Sequence, residues 1–288
     1  MLNFKNLKKI EDSSLLRGRT FSFRLDNRYT RAMSVFKRRL LWDGCSNTRH
    51  LGGFVTEDQH VTNDALVRSD NLIKLTVAGQ AALEVDGVTT VIDLRFFGEL
   101  EKNPNPFVAS NSVMYLHRPM MSERDQEAMA PIRVAQTTLE AYMATLEGFK
   151  GNIAAIMTAI ADSVPGRMVI HCSAGKDRTG LTTALALRCA GVSLQDIAED
   201  YALTDQYLQA DYDKELAEMQ NPEERAARAD DLQTKPEYIL DTLHELERRH
   251  GSVQGYLQAA GMSATSLERL KFRLVETGSS IVEFKVRS

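Results

Sequence analysis

Residues 168–191, MVIHCSAGKDRTGLTTALALRCAG, carry the reading that decides the fold. MVIHC, 168–172, is a short apolar run of strand character. LTTALALRCAG, 181–191, reads as a buried helix closed by Gly191. Between them, SAGKDRTG forms a tight loop running from the strand end into the helix N-terminus. Such a loop turns successive backbone N–H groups toward one point, and the helix dipole adds positive potential there. Gly175 permits backbone conformations that other residues resist. Arg178 closes the loop with a planar fork that can grip two oxygens of one anion. The ligand these features suit is a phosphate dianion.

Cys172 stands where the loop begins, with five residues between it and Arg178 in a Cys-x5-Arg spacing. Cations and a helix N-terminus favour the thiolate, which is the reactive form of the side chain. Cys172 and Arg178 are therefore the candidate catalytic pair. The backbone of Ser173, Ala174, Gly175, Lys176, Asp177 and Arg178 is the candidate phosphate cradle. Thr179 is placed to donate to the sulfur, and His171 to orient the loop through hydrogen bonds. An inert, buried Cys172 is the alternative. It leaves Lys176, Asp177 and Arg178 without a purpose, and burying such charges unpartnered is costly. Cys189, inside the apolar helix, reads as core, whereas Cys45 reads equally as loop or core.

Outward from this unit, strands and helices alternate, which indicates an α/β domain with a central sheet. Residues 72–85 have the pattern of an amphipathic helix stopped by Gly87. Residues 88–94 and 113–119 read as strands, the second ended by Pro119. Residues 123–162 are helical in pattern with a break near Gly148 or Gly151. Residues 194–250 are mostly helical with breaks near Pro222 and Pro236. The chain is expected to divide into a basic N-terminal extension, 1–40, and one domain, 41–288.

Charge and cysteine usage narrow the classes further. The net charge is −4, yet residues 1–40 hold 11 Lys/Arg against 3 Asp/Glu. The remainder is thus distinctly acidic, which argues against nucleic acid as a partner. The basic leader reads as a solvated arm or a first strand, and it is compatible with peripheral contact with anionic lipid or with organelle targeting. No apolar run approaches the ~20 residues of a membrane span. Three cysteines at irregular spacing are not a disulfide framework, so a reducing cytoplasm is the expected location. Export without a signal peptide stays open beside it. The six histidines lack metal-ligand spacing, and neither metal nor other cofactor is expected.

HCSAGKDRTG, 171–180, resembles the signature loop of the protein tyrosine phosphatase superfamily. Its Lys-Asp pair is similar to the bacterial branch that includes secreted mycobacterial and listerial enzymes acting on phosphotyrosine and phosphoinositides. NTRHLGG, 47–53, VRSDNLIKLTVAG, 67–79, and VTTVIDLRFFGEL, 88–100, follow that branch's upstream motifs in order. His50 departs from the pattern, standing where the branch usually has Asp. The resemblance implies a cysteine-phosphatase fold: a central, mostly parallel sheet flanked by helices, with a helical insertion or lid. The polar stretch 205–235 is where the lid of the mycobacterial enzyme would fall, and it reads equally as a solvated excursion.

The same resemblance implies a phosphoprotein or phosphoinositide substrate and a phosphocysteine on Cys172. Positioned N–H donors and the Arg178 fork would stabilise the charge on phosphorus-bound oxygens. The leaving oxygen needs a proton. The resemblance suggests Asp177 as its source, and Asp93, at a strand end where α/β sites gather, is the other candidate. Asp93 reads equally well as a structural carboxylate paired with Arg95. Lys176 adds a second cation, which would favour a multiply phosphorylated head group. Rival readings are an inositol polyphosphate phosphatase of the same superfamily and a non-catalytic phosphate-binding module. A nucleotide-binding loop is excluded because Gly175-Lys176 is followed by Asp177, not Ser or Thr.

Overall fold

The computed structural model describes residues 38–275. The basic leader read over 1–40 lies, except for its last three residues, outside them. Five strands form one sheet: β1 (Arg49–His50), β2 (Leu66–Ser69), β3 (Val88–Asp93), β4 (Met114–His117) and β5 (Arg167–His171). Their order is β1-β2-β5-β3-β4. All pairings are parallel except that of β1 with β2.

Apolar residues on both faces place β5 at the centre. Met168 and Ile170 enter the larger hydrophobic core, while Val169 enters the smaller one on the opposite face. Leu66 against Val67 and Ile92 against Val91 repeat the alternation on the neighbouring strands. This is the two-residue period of a sheet covered on both sides. The larger core is built with α4 (Thr138–Gly148), α5 (Lys150–Asp162), α6 (Asp177–Cys189), α7 (Leu194–Glu218) and α9 (Pro236–His250). It is completed by α10 (Val253–Ala259) and α11 (Ala264–Leu274). The smaller core holds α1 (Val77–Val85) and the buried Trp42. Three further elements are α2 (Phe97–Lys102), α3 (Gln126–Val134) and α8 (Pro222–Leu232). This is the mixed α/β architecture that the sequence indicates, a central and mostly parallel sheet flanked by helices. No helix among the described residues is long and apolar enough to cross a membrane.

Local signals explain most boundaries. Pro222 and Pro236 each occupy the first turn of a helix, where a missing N–H costs nothing. Gly191, at φ +89°, ends the helix after the loop. Two boundaries differ from expectation. The helix expected over 72–85 begins only at Val77, because Thr76 caps it by accepting from the Gly79 N–H; Leu72–Lys74 is a separate 3₁₀ turn. Within 123–162 there is a second break at residues 135–137, where Thr137 caps α4 in the same way.

Candidate active site

The parallel strands β2, β5 and β3 end side by side, with Ser69 and Asp93 each in register with His171. Cys172 follows at the central strand end and is buried, at 3% exposure. The chain then turns through Ser173–Lys176 into α6, whose first residue is Asp177. Gly175 makes the turn at φ +68°, and a Cβ there would lie 2.5 Å from the Ser69 carbonyl oxygen. No other residue fits that approach.

The upstream motifs hold the back of this loop. Asn47 Nδ2 donates to the carbonyls of Ala174 and Gly175 at 3.1 and 3.2 Å. Arg68 Nη2 donates to Gly175 O at 2.7 Å. Asp70 accepts from the N–H groups of Ser46 and Asn47, fixing that segment beside the turn. A peptide unit is planar, with its N–H opposite its carbonyl. Pulling the carbonyls of 174 and 175 backward therefore turns the N–H groups of Gly175 and Lys176 forward, the orientation an anion nest requires.

Behind Asn47 and Arg68 lies a buried ionic cluster. Asp200 of α7 meets Arg38 at 2.7 Å, Arg49 at 3.1 Å and Arg68 at 3.0 Å. Burial disfavours the Asp200 carboxylate, but the three guanidiniums outweigh it and hold the group far below the usual carboxylate range. Burial and the neighbouring Arg68 push Arg49 down to about 10.

The structure places Arg178 against Glu99 of α2 in a two-bond pairing of 2.5 and 3.1 Å and 5.0 Å from the Phe96 ring centroid. Glu99 Oε2 also accepts from the Phe96 N–H at 2.8 Å, so α2 is locked as it holds the fork. Sequence reasoning missed Glu99. The signal was a carboxylate shortly after the Asp-Leu-Arg strand end, in the third position of a short helix. Glu99→Gln is expected to lower kcat/KM for an aryl phosphate about tenfold or more, since a misplaced catalytic group is costly even when the fold survives. Steady-state kinetics beside a thermal melt checks this, and an unchanged kcat/KM would remove Glu99 from the site.

Asp93 is fully buried and surrounded by donors. Arg95 reaches it through Nε and Nη2, at 3.0 and 2.7 Å, and Tyr115 and Asn105 donate at 3.0 and 3.3 Å. Burial alone would raise its pKa, but His171 and Arg95 outweigh that and hold it well below the ordinary range. His171 Nδ1 lies 3.1 Å from the Cys172 carbonyl, which can only accept, so Nδ1 carries a proton. Its Nε2 faces Asn105 at 2.9 Å and Asp93 at 3.4 Å. Thr179 Oγ1 is buried and has no hydrogen-bond partner among the described residues, so the expected bond to the sulfur is not formed.

Asp177 lies at the loop mouth with half its side chain exposed, and Lys176 Nζ is 3.9 Å from it. Lys176 itself is buried rather than turned to solvent, and its ammonium donates to the carbonyl of Asp231 in α8. The end of α7 together with α8 thus covers the loop. Between cover and loop is a cavity of about 260 Å³, lined on one side by Ser173, Lys176 and Asp177 and on the other by Tyr212, Arg228 and Asp231. His50, in β1, accepts from the Gly52 N–H through Nδ1 at 3.2 Å, a bond a carboxylate would also take. Cys45 and Cys189 lie away from any such setting, and burial pushes both thiols up to about 12.

A cysteine and an arginine on one loop, at the end of a central parallel strand, form the arrangement that points to a phosphate-ester hydrolase, and the tyrosine phosphatase family model matches residues 40–276: the chain belongs to that family and is a phosphoric monoester hydrolase. Among its relatives is a tyrosine-protein phosphatase of Nostoc commune, 29% identical over 225 residues, 75% of this chain and 76% of that one. Another is the triple specificity protein phosphatase PtpB of Mycobacterium tuberculosis, 28% identical over 247 residues, 72% of this chain and 89% of that one.

Proposed function

We propose that the enzyme hydrolyses phosphotyrosine by metal-independent transfer of the phosphoryl group to Cys172, with Asp177 as proton donor and phosphoinositides as a second substrate class. The observation that carries the reading is the backward pull on the Ala174 and Gly175 carbonyls, which prepares N–H donors beside Cys172 and Arg178 before any ligand arrives. Preorganised donors of this kind supply the largest share of catalysis in many enzymes. Asp177 is favoured over Asp93 as the acid because a proton donor must hold a proton, and Arg95 and His171 keep Asp93 ionised. The same bonds give Asp93 a supporting role, orienting Arg95 and His171.

In the first step Cys172 Sγ bonds to phosphorus. The ester P–O bond breaks, and the leaving oxygen takes a proton from Asp177. Water then attacks phosphorus and gives a proton to the Asp177 carboxylate, and the S–P bond breaks to restore the thiolate. The test is turnover of 4-nitrophenyl phosphate in EDTA, followed by acid quench and mass spectrometry of the peptide containing Cys172. Turnover with phosphate found on Cys172 is the expected result. Turnover without it would place the nucleophile elsewhere, and no turnover by folded, reduced protein would favour a binding module.

The phosphoinositide reading rests on Lys176. The ammonium spends one of its three donors on the Asp231 carbonyl, which holds it beside the cradle with donors left for a second phosphate. The cavity under the cover, about 260 Å³, falls below the roughly 300–1,000 Å³ that encloses a drug-sized ligand. A bulky head group therefore needs the cover displaced. Lys176→Ala is expected to reduce release of phosphate from a phosphoinositide in vesicles about tenfold or more, and from a phosphotyrosine peptide less than about threefold. Equal effects on both would sink the second substrate class. Activity on soluble inositol polyphosphates that exceeds activity on vesicles would favour the soluble alternative.

A further inference from the structure

Asp177 takes a hydrogen bond from outside the phosphate loop. Tyr142 of α4 donates its phenolic O–H to Asp177 Oδ1 at 2.5 Å. The Tyr142 oxygen lies 2.6 Å from that of Tyr201 in α7. Each phenol has one proton, and Asp177 Oδ1 accepts whether or not a proton sits on Oδ2. Tyr142 therefore spends its proton on Asp177 and accepts from Tyr201, and the chain runs Tyr201 to Tyr142 to Asp177.

Both phenols are buried, at 5% and 1% exposure. Burial, then the charge of Asp177, pushes both well above the ordinary tyrosine range, so they remain donors throughout the working pH of an enzyme. A buried hydroxyl without a partner is costly. Were Asp177 to turn away, one of the two phenolic protons would lose its acceptor. Tyr201 is itself fixed. It follows Asp200 of the arginine cluster, and its ring lies against Gly180 of α6, where a Cβ would come within 2.8 Å of the ring. The glycine at the end of HCSAGKDRTG thus makes room for the tyrosine behind the acid.

We propose that Tyr142, backed by Tyr201, is a positioning residue for the proton donor Asp177: it holds Oδ1 and so presents Oδ2 to the leaving oxygen. This rests on the reading of Asp177 as the acid. In the first step the Oδ2 proton passes to the leaving oxygen while Tyr142 keeps its own proton and stabilises the new carboxylate. In the second step water returns a proton to Oδ2.

The test compares phenyl phosphate, whose leaving group needs protonation, with 2,4-dinitrophenyl phosphate, whose leaving group hardly does. Wild type, Tyr142→Phe, Tyr201→Phe, Asp177→Asn and the Tyr142→Phe/Asp177→Asn double variant are assayed for kcat and KM. Tyr142→Phe is expected to lower kcat on phenyl phosphate about tenfold, with a much smaller loss on the dinitrophenyl ester and KM within about twofold. The double variant should be no slower than Asp177→Asn, because the tyrosine acts through the carboxyl. Tyr201→Phe should show the same substrate bias in weaker form, and it decides the matter alone if Tyr142→Phe does not fold. Equal losses on both esters, additive losses in the double variant, or a loss confined to KM would overturn the proposal. Failure of the acid assignment looks different: Asp177→Asn itself would then show no leaving-group bias.

Discussion

Cys172→Ser is expected to lower turnover of 4-nitrophenyl phosphate about 10⁴-fold or more while leaving phosphate binding intact. A serine hydroxyl at the same place keeps its proton at neutral pH, and two carboxylates of the site are engaged elsewhere. Asp93 is held by Arg95 and its neighbours, and Glu99 by Arg178. Asp177, the acid of the first step, has to hold its proton for the leaving oxygen and cannot at the same time take one from the hydroxyl. The cradle does not depend on the sulfur, because Asn47 and Arg68 shape it from behind. The variant should therefore bind inorganic phosphate or a phosphotyrosine peptide with near wild-type affinity and melt at a similar temperature. Titration calorimetry beside the rate assay separates the outcomes. Retained turnover would move the nucleophile to another residue. Lost binding would mean that the thiolate shapes the loop.

Asp200→Asn is expected to destabilise the protein by about 3–5 kcal/mol, because it leaves three buried guanidiniums without a counter-charge. For a chain of this size that corresponds to a melting temperature lower by roughly 10 °C. Asp200 and the side chains of Arg49 and Arg68 are almost wholly excluded from water, so solvent cannot take over the lost role. The pH dependence follows from the direction of the shift. The folded-state pKa of Asp200 lies far below that of the unfolded chain, about 3.9. Its contribution is complete above the unfolded value and is lost as pH falls toward the folded one. Wild type should therefore lose stability progressively below about pH 4, and the variant should lack this part of the acid limb. Activity should fall as well, since Arg68 also grips the Gly175 carbonyl. Thermal melts from pH 3 to pH 7 provide the check, and coincident curves for the two proteins would remove the cluster from the stability account.

How far these features can be read in the sequence depends on the range of the forces involved. The strand, loop and helix at 168–191 are legible because their signals are local: an apolar run, a glycine that must turn, and charges that need a ligand. Pro222, Pro236 and Gly191 punctuate helices for equally local reasons. β1 and β2 are not legible. They have two and four residues, and each buries an arginine, Arg49 and Arg68, whose burial makes sense only once Asp200 arrives from more than 130 positions away. Glu99 is hidden for the same reason, 79 residues from the arginine it holds. Tyr142 and Tyr201 look like ordinary aromatic residues of two helices until the fold brings their hydroxyls together. The threonine caps at 76 and 137 were local signals, outweighed by the continuous helical pattern around them.

The link between Lys176 and α8 ends on a main-chain oxygen, not on the side chain of Asp231. Mutation at 231 cannot delete that acceptor; only a change in the backbone's course can. The outward residues of Pro222–Leu232 can thus change without removing the attachment to the loop at Lys176. Enzymes of this kind are expected to diverge fastest in the composition of their covers and slowest in the path those covers follow, so that new specificity can evolve without renegotiating the chemistry beneath it.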